Sequence, residues 1–316
     1  TALGGFARSF AGLFASRAAV GIGEAAYATI APALLADSFP KERRGRVFAI
    51  FFAAIPVGAA LGYVLGGLMD RHFGWRAAFV VAGVPGLLLA LLCLAIRDPP
   101  RGARDGTASL PAAPGGAREA YARLFANRRY RATVAGYAAY TFALGGLAAW
   151  TPAFLERVRG LPKADATVQF GAIVVVTGLI GTFVGGWAGD RLLKNDRQAY
   201  LKLSGWTTLA AVPAAAVAFF APGRVLPMAG LVAAELLLFA STGPINSVLV
   251  NVVAPGDRAT GIALSILAIH LFGDVPSPPL MGAISDAANL RAAFTVVPVS
   301  IGIAGAIWLA AARTDN

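Results

Sequence analysis

The chain has 316 residues, of which 57% are hydrophobic and only 14% are charged. Soluble globular proteins carry roughly 25% charged residues, so the composition excludes a water-soluble protein and indicates an integral membrane protein. The formal net charge of +11 is then a topology signal, because loop charge sets membrane orientation, and it gives no support for a nucleic-acid partner.

Nine apolar segments are each long enough to span a bilayer, which takes about 20 residues of helix. In chain order the predicted helices cover residues 10–36, 47–69, 77–96, 132–155, 168–189, 203–221, 225–253, 259–285 and 292–312. The sequence thus predicts an all-α membrane protein. A long basic link separates the third helix from the fourth, and within it residues 117–127 are predicted to form a short helix on the inner membrane face.

Most arginine and lysine residues of the links follow the first, third and fifth helices. Links rich in these residues stay in the cytoplasm. We therefore expect these links and the C-terminus to be cytoplasmic and Thr1 to lie on the opposite side. A Gly-x-x-x-Asp pattern also recurs every third helix, at residues 66–70, 186–190 and 282–286. Three-helix units that alternate in orientation are typical of secondary transporters.

Arg17 and Glu24 are ionisable residues within the first predicted helix. They are two helical turns apart, so their side chains point the same way. A charge at membrane depth must be paired or hydrated, which makes such residues functional candidates. A carboxyl group poised between an arginine and apolar walls can act as a proton switch. We predict that this pair couples protonation to transport, and the alternative is a polar contact between helices.

Three further ionisable residues lie within predicted helices: Glu235, His270 and Asp274. His270 and Asp274 are four residues apart, within hydrogen-bond reach on one helix face. They are predicted to act in gating or substrate contact, or else as a polar packing pair. A metal site is not expected, because His72 is the other histidine and lies in a predicted loop. Glu235 is interpreted either as a neutral packing residue or as a residue facing a cavity.

Aromatic and amide side chains within the spans are candidates for contact with an amphiphilic substrate, with packing as the alternative. They are Tyr27, Tyr137, Tyr140, Trp150 and Asn246. Prolines at positions 276, 278 and 279 interrupt the eighth helix, where they free backbone carbonyls near a predicted cavity.

The chain lacks the motifs of serine hydrolases, zinc proteases and P-loop enzymes, so we expect no enzyme, no metal and no cofactor. Residues 21–26 fit a dinucleotide fingerprint, but they lie within an apolar helix rather than after a strand. A nucleotide site is therefore excluded.

Three short segments are similar to motifs of the major facilitator superfamily: residues 17–23, 74–76 and 186–191, with Gly186, Asp190 and Arg191 as a conformational motif. The segments 17–32, 51–67, 170–186 and 270–286 resemble the spinster family within it. The resemblance implies a twelve-helix fold of which nine helices are present, with three more preceding Thr1. It divides the chain into the remainder of an N-terminal half (1–97), a cytoplasmic linker (98–131) and a C-terminal half (132–316).

The resemblance also implies a function. Spinster-like proteins move amphiphilic lipids such as sphingoid phosphates or lysophospholipids by alternating access, with proton coupling for some. The expected partners are an amphiphilic lipid or other hydrophobic small molecule, protons and membrane lipids. The expected location is the bacterial inner membrane, as a multi-pass protein. Two alternatives remain: a multidrug or small organic-anion transporter of the same superfamily, and a membrane protein that binds or modifies lipid without transporting it.

Overall fold

The computed structural model describes residues 1–38, 41–95, 116–253 and 257–313. All regular structure in these ranges is helical. Within the helices, the described part leaves out the side chains of residues 25–30, 32–37, 41–50, 52, 53, 56, 59, 60, 63, 117, 250, 258 and 259. Contacts divide the chain into two compact units, residues Thr1–Leu110 and Pro111–Asn316, and each is described by itself.

The first unit contains three long helices that follow a 3₁₀ turn at Ala2–Phe6. They are α1 (Phe10–Ser38), α2 (Lys41–Phe73) and α3 (Trp75–Cys93). Gly74 alone separates α2 from α3 and has a φ of +77°, a conformation that glycine adopts without a steric penalty. The 3₁₀ turn packs closely on α3, since a Cβ at Gly83 would lie 2.7 Å from Ala2 Cα.

The second unit contains a short helix followed by the remaining spans. These elements are α4 (Ala117–Ala126), α5 (Arg128–Arg157), α6 (Lys163–Leu193), α7 (Ala199–Phe220), α8 (Val225–Asn251), α9 (Arg258–Ile269), a π turn (His270–Asp274), α10 (Ser277–Ala287), α11 (Leu290–Ala293) and α12 (Val296–Arg313). Helix α8 packs between α6 and α7, α7 also contacts α12, and α12 contacts α5. Helix α5 in turn packs against α9, the π turn and α10.

The core of the second unit holds large side chains from several helices. Phe154 of α5, Phe219 of α7 and Phe294 form one aromatic cluster, with ring centroids 4.2–5.2 Å apart. Trp308 of α12 is fully buried against α5. Close van der Waals packing of such side chains holds these helices in place, because lipid tails are as apolar as the side chains and burial alone supplies little driving force between membrane spans.

The predicted helices agree with the observed ones. Within the described residues, seven helical segments are long and apolar enough to cross a membrane: α3, α5, α6, α7, α8, the α9–α10 segment and the α11–α12 segment. Helices α1 and α2, of 29 and 33 residues, correspond to the first two predicted spans. Helix α2 begins at Lys41, earlier than the predicted residue 47. The short helix predicted at 117–127 is confirmed as α4.

Candidate functional site

Polar side chains of α5 and α8 meet within the membrane-spanning part of the second unit. The Tyr140 hydroxyl donates to Leu238 O at 2.8 Å and lies 3.3 Å from Thr242 Oγ1. The amide of Asn246 donates to the Tyr137 hydroxyl at 3.2 Å and to Thr242 O at 2.8 Å. Tyr140 is buried and Asn246 is exposed. We call Tyr137, Tyr140, Thr242 and Asn246 the α5–α8 polar face.

Trp308 of α12 packs against the two tyrosine rings of this face. Its ring centroid lies 6.4 Å from that of Tyr137 and 5.6 Å from that of Tyr140, and its indole N–H donates to Thr133 O at 3.2 Å. Gly136 gives the ring room, because a Cβ there would overlap the indole nitrogen. The sequence analysis missed Trp308, since a tryptophan in an apolar run carries no signal that separates packing from support of a site.

Glu235 lies nearer the N-terminus of α8, on the same side of the helix as the polar face. Its separations from Thr242 and from Asn246 are both close to a whole number of helical turns, at about 3.6 residues per turn, so the three side chains share one side of α8. Its exposed fraction is only 2%. The structure therefore places the carboxyl group among packed helices, where a charged form is costly unless a partner compensates it.

The structure brings His270 and Asp274 together at the break between α9 and α10. The His270 Nδ1 atom lies 2.9 Å from Asp274 Oδ2 and 3.0 Å from Oδ1. The two residues bound a π turn, in which the Val275 N–H donates to His270 O at 3.1 Å. Both side chains are exposed by more than a third. Their role in gating or substrate contact stays a prediction.

Helix α5 contacts this break through two side-chain hydrogen bonds and a close approach at Gly145. The Thr141 hydroxyl lies 3.0 Å from Ile269 O, and the Trp150 indole N–H donates to Pro278 O at 3.0 Å. A Cβ at Gly145 would lie 2.6 Å from Asp274 Cβ. Trp150 thus binds the first turn of α10, where prolines are tolerated because the N–H groups they lack would have no partner within the helix.

The predicted conformational motif lies at the end of α6. The Tyr200 hydroxyl donates to Asp190 Oδ1 at 2.7 Å, which joins α6 to the start of α7. The Arg191 guanidinium carbon lies 5.7 Å from the Trp187 ring centroid. Gly186 faces open space within the described residues.

The candidates in the first unit are not joined to one another. Both Arg17 and Glu24 are exposed, and among the described side chains no hydrogen bond or ion pair connects them. The Arg17 guanidinium instead lies 5.9 Å from the Phe79 ring centroid. The side chain of Tyr27 falls outside the described part. No group of three or more potential metal ligands exists among the described residues.

An ion pair that the sequence analysis missed fastens α4 to the start of α9. Arg123 donates to both carboxylate oxygens of Asp257, at 2.7 and 2.8 Å. The hydrogen bonds from Arg123 hold the pKa of Asp257 below its usual range, although burial opposes this. The Asn127 amide adds a hydrogen bond to Val252 O at 2.8 Å. A separation of 134 residues leaves no local pattern from which this pair could be found.

The comparisons with known proteins agree with this geometry. The family model of the Major Facilitator Superfamily matches residues 1–273. The chain belongs to the Major Facilitator Superfamily. This chain spans about half to two thirds of the length of the curated relatives it matches. It is 33% identical to Protein spinster of Drosophila melanogaster, over 91% of this chain and 49% of that protein.

A second relative carries a more specific name. The chain is 32% identical to "Probable sphingolipid transporter spinster homolog 3" of Arabidopsis thaliana, over 92% of this chain and 62% of that protein. A solved bacterial homologue of the human lysosomal transporter Spinster, inward-facing and unoccupied, matches with a TM-score of 0.82 and 25% identity, over 99% of this chain and 80% of that one. The spinster resemblance inferred from the sequence is therefore confirmed.

Proposed function

We propose that this spinster-type protein is a secondary transporter that moves an amphiphilic, lipid-like molecule by alternating access, and that protons drive the movement. The observation that carries the proposal is the α5–α8 polar face, which places amide and hydroxyl groups within otherwise apolar spans. One relative is named a probable sphingolipid transporter, which supports a lipid-like substrate. Within that class we propose a sphingoid phosphate or a lysophospholipid.

The polar face suits an amphiphile because it offers two kinds of contact side by side. The Asn246 amide and the Tyr137 hydroxyl supply hydrogen-bonding groups for a headgroup. The ring of Tyr137, with the buried ring of Tyr140 5.9 Å behind it, supplies apolar surface for a chain. Ligand sites in proteins typically combine a largely apolar lining with a few polar groups.

Arg17 and Glu24 are proposed as the proton-coupling pair, and Glu235 as a residue of substrate binding or gating. A proton exchanged at Glu24 would change the net charge of the first unit at mid-membrane. Residues 1–97 and 132–316 are proposed to belong to the two halves that move, with residues 98–131 as their linker. We also propose that the protein resides in a bacterial inner membrane with its C-terminus in the cytoplasm.

Flux measurements test the coupling role of Glu24. The full-length gene product is reconstituted in proteoliposomes, and uptake of a fluorescent lysophospholipid is followed with and without an imposed pH gradient. We expect Glu24→Gln to reduce uptake under the gradient to the level measured without it, because an amide cannot exchange the proton. Gradient dependence equal to that of the unaltered protein would contradict the coupling role.

A matched control and a competition arm complete the experiment. Glu119→Gln removes an exposed carboxyl group of α4 and is expected to leave the gradient dependence unchanged. Unlabelled lysophospholipid is expected to compete with uptake, whereas a cationic dye is not. Competition by the dye alone would favour a multidrug transporter instead.

A further inference from the structure

A cleft of about 370 Å³ lies at the predicted cytoplasmic end of the second unit. Helices α5 and α7 begin at this cleft, and α6 and α8 end there. Its polar lining is formed by Asn127, Arg129, Arg197, Tyr200 and Asn251. We call it the arginine cleft. It is separate from the α5–α8 polar face, which shares no residue with it.

The charged residues that line the arginine cleft are both arginines. The neighbouring carboxylates are not part of the lining. Asp196 pairs with Lys202 at 2.7 Å, and the hydrogen bonds from Lys202 and from the Gln198 N–H hold its pKa below the usual range. Asp190 accepts a hydrogen bond from the Tyr200 hydroxyl. The charges that the lining itself presents are therefore both positive.

The helix ends do not reverse this sign. Two helix N-termini and two C-termini meet at the cleft, and the partial charges at these ends are of opposite sign and similar size. Their contributions offset one another, so the helix ends do not cancel the charge of the two guanidinium groups.

The cleft is also built to hold a ligand in a defined position. Arg129 Nη2 donates to Gln198 Oε1, which fixes the guanidinium at the wall. The Asn127 side chain accepts from the Tyr130 N–H and donates to Val252 O, so it is fixed as well. The apolar part of the lining includes Leu201 and Val248, both buried. The volume falls within the range of roughly 300–1,000 Å³ that small-molecule sites occupy.

We propose that the arginine cleft binds a phosphate-bearing ligand, either the headgroup of an anionic phospholipid or a soluble phosphate ester. Guanidinium groups bind phosphate oxygens through two parallel hydrogen bonds, which gives both strength and orientation. The side-chain amides of Asn127 and Asn251 supply further N–H donors. The site lies outside the proposed substrate path, so its occupancy does not depend on the transport function.

Ligand-dependent thermal stability tests the proposal. The unfolding temperature of the purified full-length protein in phosphatidylcholine nanodiscs is measured by tryptophan fluorescence. One arm adds inorganic phosphate against chloride at equal ionic strength. The other replaces part of the lipid with phosphatidylglycerol. A ligand well above its Kd stabilises the folded state, so we expect one arm to raise the unfolding temperature by about 4 °C or more.

Variants assign the effect to the cleft. Arg129→Gln with Arg197→Gln is expected to abolish the rise. Arg118→Gln with Arg313→Gln, an equal change of charge at exposed positions elsewhere, is expected to keep it. Arg197 is exposed, so Arg197→Gln alone tests the site if the double variant does not fold, and it is expected to at least halve the rise.

The two arms separate the two sources of phosphate. Stabilisation by inorganic phosphate supports a soluble phosphate ester, and stabilisation by phosphatidylglycerol alone supports a lipid headgroup. No rise in either arm overturns the proposal, as does a rise that the cleft variants and the control variants retain equally. Neither result bears on lipid uptake, which is measured separately in proteoliposomes.

Discussion

Two seams of the second unit use the same residue types with different results. In the α6–α8 seam, two continuous helices cross closely through glycines of α6 and a proline of α8. In the α5–α10 seam, glycines of α5 pack against a helix that is interrupted by a π turn and three prolines. Glycine permits the close approach in both seams, whereas the partner helix stays continuous with one proline in α8 and is broken where a π turn is followed by three prolines.

The α6–α8 seam is a contact between backbones. A Cβ at Gly181 would lie 2.6 Å from Leu236 O, and one at Gly185 would overlap the Ala240 carbonyl. Pro244 has no N–H, so the Ala240 carbonyl lacks its usual donor four residues later. The freed carbonyl faces Gly185, where a Cα–H group offers it a weak hydrogen bond. One proline thus leaves α8 continuous and creates a contact for α6.

The α5–α10 seam is a contact between backbone and movable side chains. A Cβ at Gly146 would meet the sulfur of Met281 and would lie 2.8 Å from Ser277 Oγ. Methionine side chains adapt easily to a changed neighbour. The seam is therefore expected to tolerate an added methyl group better than the α6–α8 seam does.

The largest predicted effect follows from replacing Gly185 with alanine. The added methyl group meets a backbone carbonyl that cannot move without shifting α8, so we expect a loss of about 3 kcal/mol in the free energy of unfolding, at the upper end of overpacking effects. Unfolding in mixed SDS–detergent micelles measures it. Gly186→Ala is the matched control, because nothing described lies within 4 Å of a Cβ there. Equal stability of the two variants would refute the close seam.

Gly146→Ala probes the other seam and is expected to have a smaller effect. Met281 and Ser277 can turn aside, so the loss should be about 1 kcal/mol, at the lower end of the same range. The same unfolding assay applies, with Gly186→Ala again as the baseline. A loss as large as that of Gly185→Ala would show that the two seams are equally rigid, against the comparison drawn above.

The smallest effect is expected outside both seams, at the Arg123–Asp257 ion pair. The folded pKa of Asp257 is held below its ordinary value, so the pair stabilises the folded state above the ordinary aspartate pKa of about 3.9. That contribution is lost as the pH falls through the lower folded pKa. Asp257→Asn should therefore expose α4 to hydrogen exchange faster at pH 7, with a difference from the unaltered protein that shrinks towards pH 3.

A difference that grows towards pH 3 would reverse the sign and contradict the ion pair. Exchange within α6 and α8 serves as the internal control, because neither helix contains a member of the pair. Both are expected to exchange equally in the two proteins at every pH.

The helices were predictable from the sequence because a membrane span is a long apolar run, and such runs need no tertiary information. The break in the eighth predicted helix was predictable for the same reason, since proline lacks the backbone donor wherever it lies. The contact between His270 and Asp274 followed from a spacing of four residues on one helix. These features are all local in the chain.

Features that join distant segments were not predictable. Trp308 reaches α5 across 175 residues, and Arg123 reaches Asp257 across 134. The spacing of Arg17 and Glu24 gave a shared direction but no partner, and the structure leaves them unjoined. Gly181, Gly185 and Gly189 show the four-residue spacing typical of close helix contact, so this signal was present in the sequence but was overlooked.

The π turn at His270–Asp274 also sets the rotational phase of everything that follows it. Its hydrogen bond from Val275 to His270 spans five residues instead of four, which amounts to one residue inserted into the helix. Each residue turns an α-helix by about 100°. Deleting one residue within the turn would therefore rotate α10 by about that angle and carry Ser277 and Met281 away from Gly146. A one-residue deletion in this turn would thus change which face of α10 packs against α5.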